Sequence, residues 1–229
     1  MHPEKRFADP NNTNEMVELQ IDSSLDFWKP EEIMLITNFP YEYHGVKSYV
    51  LDSSFICDFS PGDCRIDIII HLLENGILKG VTWSHDVDAF QMYPVLPNLE
   101  KDAGFTTYGW NDKWNTGSFF FKPSSLDIFR WIREKLFETR TNEEIALKML
   151  TDSNYKNINT RYEIMNSTYN VGMRCTRTVV HNSEKPIRVA HFPAYNYGVF
   201  CKYKPILTSR LTKLISDKFN FDEKPISLS

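Results

Sequence analysis

A segment rich in apolar residues leads directly into two aspartates separated by one residue, in Val81-Thr82-Trp83-Ser84-His85-Asp86-Val87-Asp88. Side chains alternate along an extended strand, so we expect Asp86 and Asp88 to point the same way and Val87 to point back to the core. Two neighbouring carboxylates repel each other unless a cation lies between them, and Mg²⁺ or Mn²⁺ prefers such oxygen ligands. The pattern predicts a metal site at the carboxyl end of a strand, where open α/β sheets bind ligands. The alternative is a solvated loop after the strand.

Other polar positions have both a chemical and a structural interpretation. Asn115-Thr116-Gly117 precedes an aromatic strand, where glycine lets the backbone approach a ligand closely, although Asn-x-Gly is also favourable in a turn. Glu143 and Glu144 lie in the first turn of a predicted helix, where the helix dipole favours acidic side chains in any case. Arg65 begins another predicted helix, and its guanidinium can bind a phosphate or pair with a neighbouring aspartate.

Two histidines differ in their expected roles. His85 adjoins the carboxylate pair but alternates away from it, so we expect it to be packed or hydrogen-bonded rather than a metal ligand. His191 lies at the end of a short predicted strand, in the same kind of position as Asp88. Neutral imidazole is a good ligand for metals such as Mn²⁺, which makes His191 the candidate third ligand. The alternative for His191 is a partly buried histidine that is hydrogen-bonded near Tyr195 or Tyr197.

The elements that must position these residues alternate between helices and strands. This alternation predicts an α/β domain with a mostly parallel central sheet flanked by helices. A further strand around Arg6–Ala8 is also considered. Helices are predicted over Thr13–Phe27, Asp63–Leu73, Leu126–Glu138, Asn142–Leu150 and Ile206–Phe219, and strands over Glu32–Phe39, Gly45–Leu51, Ile77–His85, Gly104–Gly109, Ser118–Lys122 and Pro186–Phe192.

Composition limits the class of protein. The chain has 229 residues with 41% hydrophobic and 24% charged residues, which excludes a disordered chain, collagen and a coiled coil. Its net charge of −4 argues against binding nucleic acid through bulk positive charge. The four cysteines form no C-x-x-C pair, so we expect reduced thiols and a cytoplasmic protein. The N-terminus has no apolar leader and no apolar run reaches 18 residues, so we expect no secretory signal and no transmembrane segment.

A series of segments, in this order along the chain, resembles the GT-A-fold, DxD-type nucleotide-sugar glycosyltransferases. The segments span most of residues 30–195 and include the family's Asn-x-Gly strand and a late histidine. They are Ile33–Phe39, Gly45–Lys47, Asp86–Asp88, Trp114–Phe121, Asn142–Leu147 and Val189–Phe192. The resemblance implies a single GT-A-like, Rossmann-like domain over residues 1–229, with a catalytic core over about 30–195 and a C-terminal helix and tail over 200–229.

The resemblance also implies a role for each matched residue. Asp86, Asp88 and His191 would hold Mn²⁺ or Mg²⁺, and Asn115 would hydrogen-bond the donor sugar. Glu143 or Glu144 would deprotonate the acceptor or hold the donor sugar. The residues expected to bind the nucleotide-sugar are Asp86, Asp88, Arg65, Thr37 and Asn38. The sequence departs from the family in two places: Asn142-Glu143-Glu144 replaces the Asp-Gln pair of some retaining families, and the first nucleotide-binding strand is short or missing.

The resulting hypothesis is a metal-dependent glycosyltransferase of the hexosyltransferase type. It would transfer a sugar from a nucleotide-diphosphate donor, by default a UDP-sugar, to a hydroxyl of a carbohydrate or other acceptor, with no nucleic-acid partner. One alternative is a sugar nucleotidyltransferase, which would usually have a glycine-rich basic loop near the N-terminus, whereas residues 1–30 contain no glycine. The other alternative is a non-catalytic carbohydrate-binding domain of the same fold.

Overall fold

The computed structural model describes residues 13–55, 64–109, 113–172 and 177–221. The strand considered around Arg6–Ala8 and the expected helix start at Asp63 lie outside these ranges. The α-helices are α1 (Thr13–Ser24), α2 (Cys64–Glu74), α3 (Leu126–Thr139), α4 (Glu143–Asp152), α5 (Arg177–Asn182), α6 (Tyr197–Tyr203) and α7 (Ser209–Phe219). The strands are β1 (Leu35–Thr37), β2 (Glu42–Tyr43), β3 (Val46–Val50), β4 (Thr82–His85), β5 (Ala89–Gln91), β6 (Ala103–Thr107), β7 (Trp114–Phe121), β8 (Tyr162–Met165) and β9 (Val189–His191).

The strands of the described residues form three mixed or antiparallel sheets, so the prediction of a mostly parallel central sheet was wrong. Their orders are β4-β7-β6-β8, β1-β3-β2 and β5-β9. The pairs β1–β3 and β6–β8 are parallel, whereas β2–β3, β4–β7, β6–β7 and β5–β9 are antiparallel. The physical reason is loop length. Only residues 108–113 separate β6 from β7, which suffices for a hairpin but not for the crossover that a parallel pair needs.

Strand β7 lies at the centre of the largest sheet and is buried along its whole length. Phe119 and Phe121 belong to the hydrophobic cluster that contains residues of α2, α3 and α4. Phe120, between them, belongs to a separate cluster with Ala89 and Val189. Because successive side chains of a strand point to opposite faces, β7 is covered on both sides. The Asn-x-Gly segment is therefore part of a rigid central strand.

A third hydrophobic cluster fixes the two-stranded β5–β9 sheet against the helices α1, α6 and α7. It contains Leu19 of α1, Phe200 of α6 and Ile215 of α7, all of them buried. Phe192, which follows β9, is fully buried and stacks on Tyr203 with ring centroids 4.1 Å apart. Burying a side chain of this size contributes about 1.5–3 kcal/mol, so this packing holds the end of β9 in place.

Several short elements were not predicted from the sequence. The strands β2, β5 and β8 and the helices α5 and α6 have between two and seven residues each. Elements of this length contain too few residues to show a hydrophobic period. The strand predicted over Glu32–Phe39 is shorter, because Pro30–Glu32 forms a 3-10 turn and only Leu35–Thr37 is extended. None of the described helices combines the length and the apolar character needed to cross a membrane.

Candidate active site

The two aspartates lie in the turn between β4 and β5 rather than along an extended strand. The backbone N–H of Ala89 donates to the Asp86 carbonyl at 3.1 Å, which closes the turn. The N–H of Asp86 donates to the Gly117 carbonyl of β7 at 2.9 Å, which attaches the turn to the central strand. Val87 at the tip is 40% exposed, so the expectation that it points to the core is wrong. The turn, not strand alternation, brings Asp86 and Asp88 together.

Strand pairing places His191 beside the aspartates. In the antiparallel β5–β9 pair, His191 lies opposite Ala89, the residue after Asp88. The Phe192 N–H donates to the Asp88 carbonyl at 2.9 Å. His191 Nε2 lies 3.1 Å from Asp88 Oδ1 and 3.5 Å from Asp86 Oδ2. One ligand atom from each of the three residues lies within 4.8 Å of the other two, so this group can hold a metal ion.

The charges of this group suit a divalent cation. Burial lowers the pKa of His191, but its hydrogen bond to Asp88 and the charges of Asp88 and Asp86 outweigh burial and raise this pKa. For Asp88, burial alone would raise the pKa. The hydrogen bond to His191 and the charge of His191 outweigh burial, so the pKa of Asp88 is lowered. Both shifts have the same cause, which is the attraction between the carboxylates and a positive charge. The two carboxylates suit either Mn²⁺ or Mg²⁺, whereas the imidazole nitrogen suits Mn²⁺ better than Mg²⁺.

Arg65 connects the aspartate turn to the beginning of helix α4. Its Nη1 donates to Asp86 Oδ1 at 2.7 Å, and its Nη2 donates to Glu143 Oε1. Thr116 of β7 donates its hydroxyl to the same Glu143 oxygen at 2.7 Å. The guanidinium carbon of Arg65 lies 5.3 Å from the centre of the Phe119 ring, so the ring supports the cation from one side. The Glu143 carboxylate is only 6% exposed, and this network compensates its charge.

Glu144 has a different environment from its neighbour. It is half-buried, and its Oε1 accepts hydrogen bonds from the Tyr108 hydroxyl at 3.2 Å and from the Thr116 N–H at 3.2 Å. Burial raises the pKa of Glu144, and the charge of Asp86 raises it further, although the hydrogen bonds from Thr116 and Tyr108 act in the opposite direction. Asn142 caps α4 by accepting from the Ile145 N–H at 3.0 Å. The two adjacent glutamates therefore differ in burial and in hydrogen-bond partners: Glu143 is buried against Arg65, whereas Glu144 is half-buried against Tyr108.

Four of the five residues expected to bind the donor line one cleft of about 600 Å³, and Asp88 is not part of its lining. Thr37 and Asn38, at the end of β1, line it together with Arg65 and Asp86. Their expected contact with a nucleotide-sugar donor stays a prediction. Most of the remaining lining is apolar, and it includes Trp28, Ile36, Phe39, Leu72, Val81, Trp83 and Leu96.

His85 also lines the cleft and is hydrogen-bonded, as its position in the sequence led us to expect. Its Nδ1 lies 2.9 Å from the Asp86 carbonyl oxygen, and its Nε2 lies 3.2 Å from Gln20 Nε2. Burial lowers the pKa of His85, although the Asp86 carbonyl and carboxylate oppose this. A neutral ring that donates through Nδ1 and accepts through Nε2 satisfies both contacts. His85 therefore supports the aspartate turn from the side of helix α1.

Asn115 is more deeply buried than a contact with the donor sugar would require. The residue is only 3% exposed, and its Oδ1 accepts from the Gly117 N–H at 3.2 Å. Its backbone carbonyl accepts from the Thr106 hydroxyl at 2.8 Å and from Asn170 Nδ2 at 3.1 Å. These contacts place Asn115 in the framework beneath Gly117. Its expected contact with a donor sugar stays a prediction.

Sequence reasoning missed three residues that complete this site. Thr116 bonds both glutamates of α4, Tyr108 bonds Glu144, and the buried Asn170 lies with its Oδ1 2.9 Å from His191 Nδ1. Thr116 could have been found, because it lies inside the Asn-x-Gly segment. Tyr108 and Asn170 lie in loops and are joined to the site only by the folded chain, so no local pattern marks them.

Replacing Gly117 with alanine is expected to reduce Mn²⁺ affinity by about tenfold or more. Changes to the groups that orient a metal ligand typically have an effect of this size. A Cβ at position 117 would lie 2.5 Å from His191 Nδ1 and 3.1 Å from Asp86 Oδ2, so the imidazole would have to move. The measurement is a Mn²⁺ titration followed by electron paramagnetic resonance. Gly80→Ala is the matched control, because a Cβ there meets nothing within 4 Å. Equal affinities in the two variants would contradict this prediction.

Comparison with known proteins adds information about the fold. No protein-family model matches the chain, and no curated protein sequence matches it. A glycosyltransferase involved in the glycosylation of the major capsid of PBCV-1 is similar in structure, with a TM-score of 0.54 and 15% identity over 93% of this chain and 95% of that chain. The glycosyltransferase GlyE of Streptococcus pneumoniae TIGR4 has a TM-score of 0.56 and 12% identity over 94% of this chain and 62% of that chain. The chain therefore shares its fold with glycosyltransferases of known structure.

Proposed function

We propose that the protein is a metal-dependent glycosyltransferase of the GT-A type, with a single domain over residues 1–229. It transfers a sugar, by default a hexose from a UDP-sugar, to a hydroxyl of a carbohydrate or other acceptor. The observation that carries this proposal is the group Asp86, Asp88 and His191 beside a cleft of about 600 Å³. The fold shared with two glycosyltransferases supports it independently.

The metal-capable group would hold Mn²⁺ or Mg²⁺ through Asp86, Asp88 and His191. When bound, such an ion acts as a Lewis acid that stabilises the negative charge of the departing nucleoside diphosphate. The three residues provide two negative charges and one neutral nitrogen, which leaves a divalent ion coordinated only in part by protein. The remaining positions suit the oxygens of a diphosphate.

The cleft suits the nucleoside part of the donor. Its volume lies within the range typical of small-molecule sites, and its lining is mainly apolar with a few polar groups. Trp28 and Trp83 offer aromatic surface to a base, and Thr37 and Asn38 offer hydrogen-bonding groups. Arg65 lies where the cleft meets the aspartates. Its guanidinium would bind the diphosphate and the Glu143 carboxylate at once and fix their relative positions.

Glu144 is the better candidate for the acceptor base, and Glu143 for positioning. A general base works best when its pKa lies nearer the operating pH, and burial moves the pKa of Glu144 in that direction. Glu143 is almost fully buried and bound to Arg65 and Thr116, which suits a carboxylate that orients other groups. Glu144 would take the acceptor proton while Glu143 holds Arg65 in place.

A ligand-binding experiment followed by a product assay tests the proposal. Thermal unfolding is measured with UDP, GDP and dTDP, each with and without Mn²⁺, since a ligand that binds the native state raises the midpoint. We expect one nucleotide to raise it only when Mn²⁺ is present. The corresponding nucleotide-sugar should then release nucleoside diphosphate on turnover. Pyrophosphate-dependent exchange would instead identify a nucleotidyltransferase, and binding with no release would identify a non-catalytic domain.

Replacing Arg65 with lysine is expected to lower kcat/KM by about 100-fold, the scale of losing one charge-stabilising donor. A single ammonium cannot reproduce the fork that donates to Asp86 and Glu143 at once. Initial rates over a range of donor concentrations provide the measurement. Arg133→Lys is the matched control, because Arg133 pairs with Asp67 at an exposed position, where ion pairs contribute only about 0–1 kcal/mol. Wild-type kinetics in the Arg65 variant would refute the assigned role.

A further inference from the structure

The side chain of Asn170 is a buried polar group in contact with His191, and the proposed function leaves the role of Asn170 open. The residue is 2% exposed and follows a 3-10 turn at Ser167–Tyr169. The next residue, Val171, exchanges backbone hydrogen bonds with β9, since its N–H donates to the Val189 carbonyl at 3.0 Å and its carbonyl accepts from the His191 N–H at 2.9 Å. Asn170 is therefore fixed by the backbone beside His191.

Hydrogen bonding determines which way the Asn170 amide faces. Its Nδ2 donates to the Asn115 carbonyl at 3.1 Å and to Thr106 Oγ1 at 2.9 Å. A carbonyl can only accept, so the atom that faces Asn115 must be the amide nitrogen. The amide oxygen consequently faces His191, with Oδ1 2.9 Å from Nδ1. Because this oxygen can only accept, Nδ1 of His191 must carry a proton.

We propose that Asn170 is a positioning residue for metal binding, which fixes the His191 ring by accepting its Nδ1–H and thereby directs Nε2 at Asp86 and Asp88. A metal ligand must present a nitrogen without a proton, and the hydrogen bond at the other nitrogen selects which one does so. Because Nδ1–H donates to Asn170, Nε2 is the nitrogen left to bind a cation, and any proton on Nε2 would pass to solvent. The inference rests on the proposed metal-dependent function, although the ring orientation itself does not require the metal.

The framework behind Asn170 explains why the orientation is rigid. The Thr106 hydroxyl donates to the Asn115 carbonyl at 2.8 Å, so it accepts rather than donates towards Asn170. Gly117 also packs against the imidazole, so closely that it leaves no room for a Cβ. The ring of His191 is thus held by contacts with a glycine and an amide. A rotation of the imidazole would leave the buried Asn170 oxygen without its donor, which is unfavourable.

Two variants of Asn170 separate orientation from packing. Asn170→Leu keeps the branched shape and the number of side-chain heavy atoms but has no acceptor, and Asn170→Asp keeps an acceptor towards Nδ1. The second oxygen of the aspartate would face the Asn115 carbonyl, so this variant should lose stability while it keeps the His191 contact. Thr106→Val is the matched control for the framework, since it removes the Thr106 hydrogen bonds without touching the imidazole.

Two measurements test the inference, and the first needs no metal. In the metal-free protein, proton NMR of histidine-labelled samples detects the Nδ1–H of His191, protected from water exchange by Asn170 and assigned by its loss in His191→Gln. We expect this signal in wild type, Asn170→Asp and Thr106→Val but not in Asn170→Leu. Mn²⁺ affinity should fall about 10–100-fold in Asn170→Leu only.

The outcomes distinguish this inference from the proposed function. A protected Nδ1–H and unchanged Mn²⁺ affinity in Asn170→Leu would overturn the positioning role. Equal losses of affinity in Asn170→Leu and Thr106→Val would also overturn it, because they would identify a framework effect alone. A wild-type protein that shows the protected proton but binds neither Mn²⁺ nor Mg²⁺ would refute the metal-dependent function and leave the orientation of His191 by Asn170 supported.

Discussion

Asp88→Asn is expected to reduce Mn²⁺ affinity at least about 100-fold, the upper end of the losses seen when groups around a bound metal are altered. It should also abolish measurable sugar transfer. The substitution keeps the size of the side chain but removes one of the two negative charges, the one that lies 3.1 Å from His191 Nε2. The carboxamide is a far weaker ligand for a hard cation than a carboxylate. Direct Mn²⁺ titration and release of nucleoside diphosphate give the two measurements.

The fold should tolerate this change, because the Asp88 side chain is 26% exposed and lies in a turn. Its carbonyl, which accepts the Phe192 N–H, belongs to the backbone and is unaffected. Asp217→Asn serves as the matched control, since Asp217 pairs with Lys213 on the exposed side of α7. Metal-dependent turnover at the wild-type rate in Asp88→Asn would rule out the metal assignment. A collapse of thermal stability in both variants would point to a general effect of lost charge.

The aspartates were the most predictable part of the site because their signal is local. Asp86 and Asp88 are separated by a single residue and follow an apolar strand, so pattern alone placed them at a strand end. The reason given for their shared direction was nevertheless wrong, since Val87 is exposed and the residues form a turn. A turn and a strand end both bring two residues at this spacing together. The prediction that Asp86 and Asp88 lie close together was therefore correct, although the extended geometry from which it was inferred was not.

The rest of the site depends on long-range register that no local pattern contains. His191 meets the aspartates only because β5 and β9 pair antiparallel with Ala89 opposite His191. Arg65 and Glu143 are 78 residues apart and meet across the end of β7. The position of His191 was anticipated through the family resemblance, whereas the link from Arg65 to Glu143 was not anticipated. Strands of three residues set this register, and elements that short leave no periodic signal.

The direction of the strands is a case in which the sequence did contain usable information. Alternation of apolar residues does not distinguish a parallel from an antiparallel pair, so a parallel sheet was inferred from the order of helices and strands. The short separation between the predicted strands Gly104–Gly109 and Ser118–Lys122 was a better guide. A connection of that length permits a hairpin and excludes a helical crossover, which is what β6 and β7 show.

Glu144→Gln is expected to lower kcat by about 10²–10⁴-fold, the range attributed to a positioned general base, while donor and Mn²⁺ binding stay near wild type. Glutamine keeps an acceptor oxygen for the Tyr108 hydroxyl and the Thr116 N–H but cannot take a proton from the acceptor. Isothermal titration with nucleotide and Mn²⁺ separates binding from turnover. Glu138→Gln is the matched control, because Glu138 is 66% exposed and pairs with Lys135 on α3.

The pH profile gives a second and independent readout of Glu144. A base must be deprotonated to act, so wild-type activity should fall as the pH drops through the Glu144 pKa. Burial raises that pKa, and the loss should therefore begin at a higher pH than for an ordinary glutamate, whose pKa is 4.5. The acidic limb should disappear in Glu144→Gln, because the residual reaction no longer depends on this proton. A Glu144→Gln enzyme with a normal rate and an unchanged acidic limb would show that the acceptor proton leaves by another route, and Glu143→Gln would then be the variant to examine.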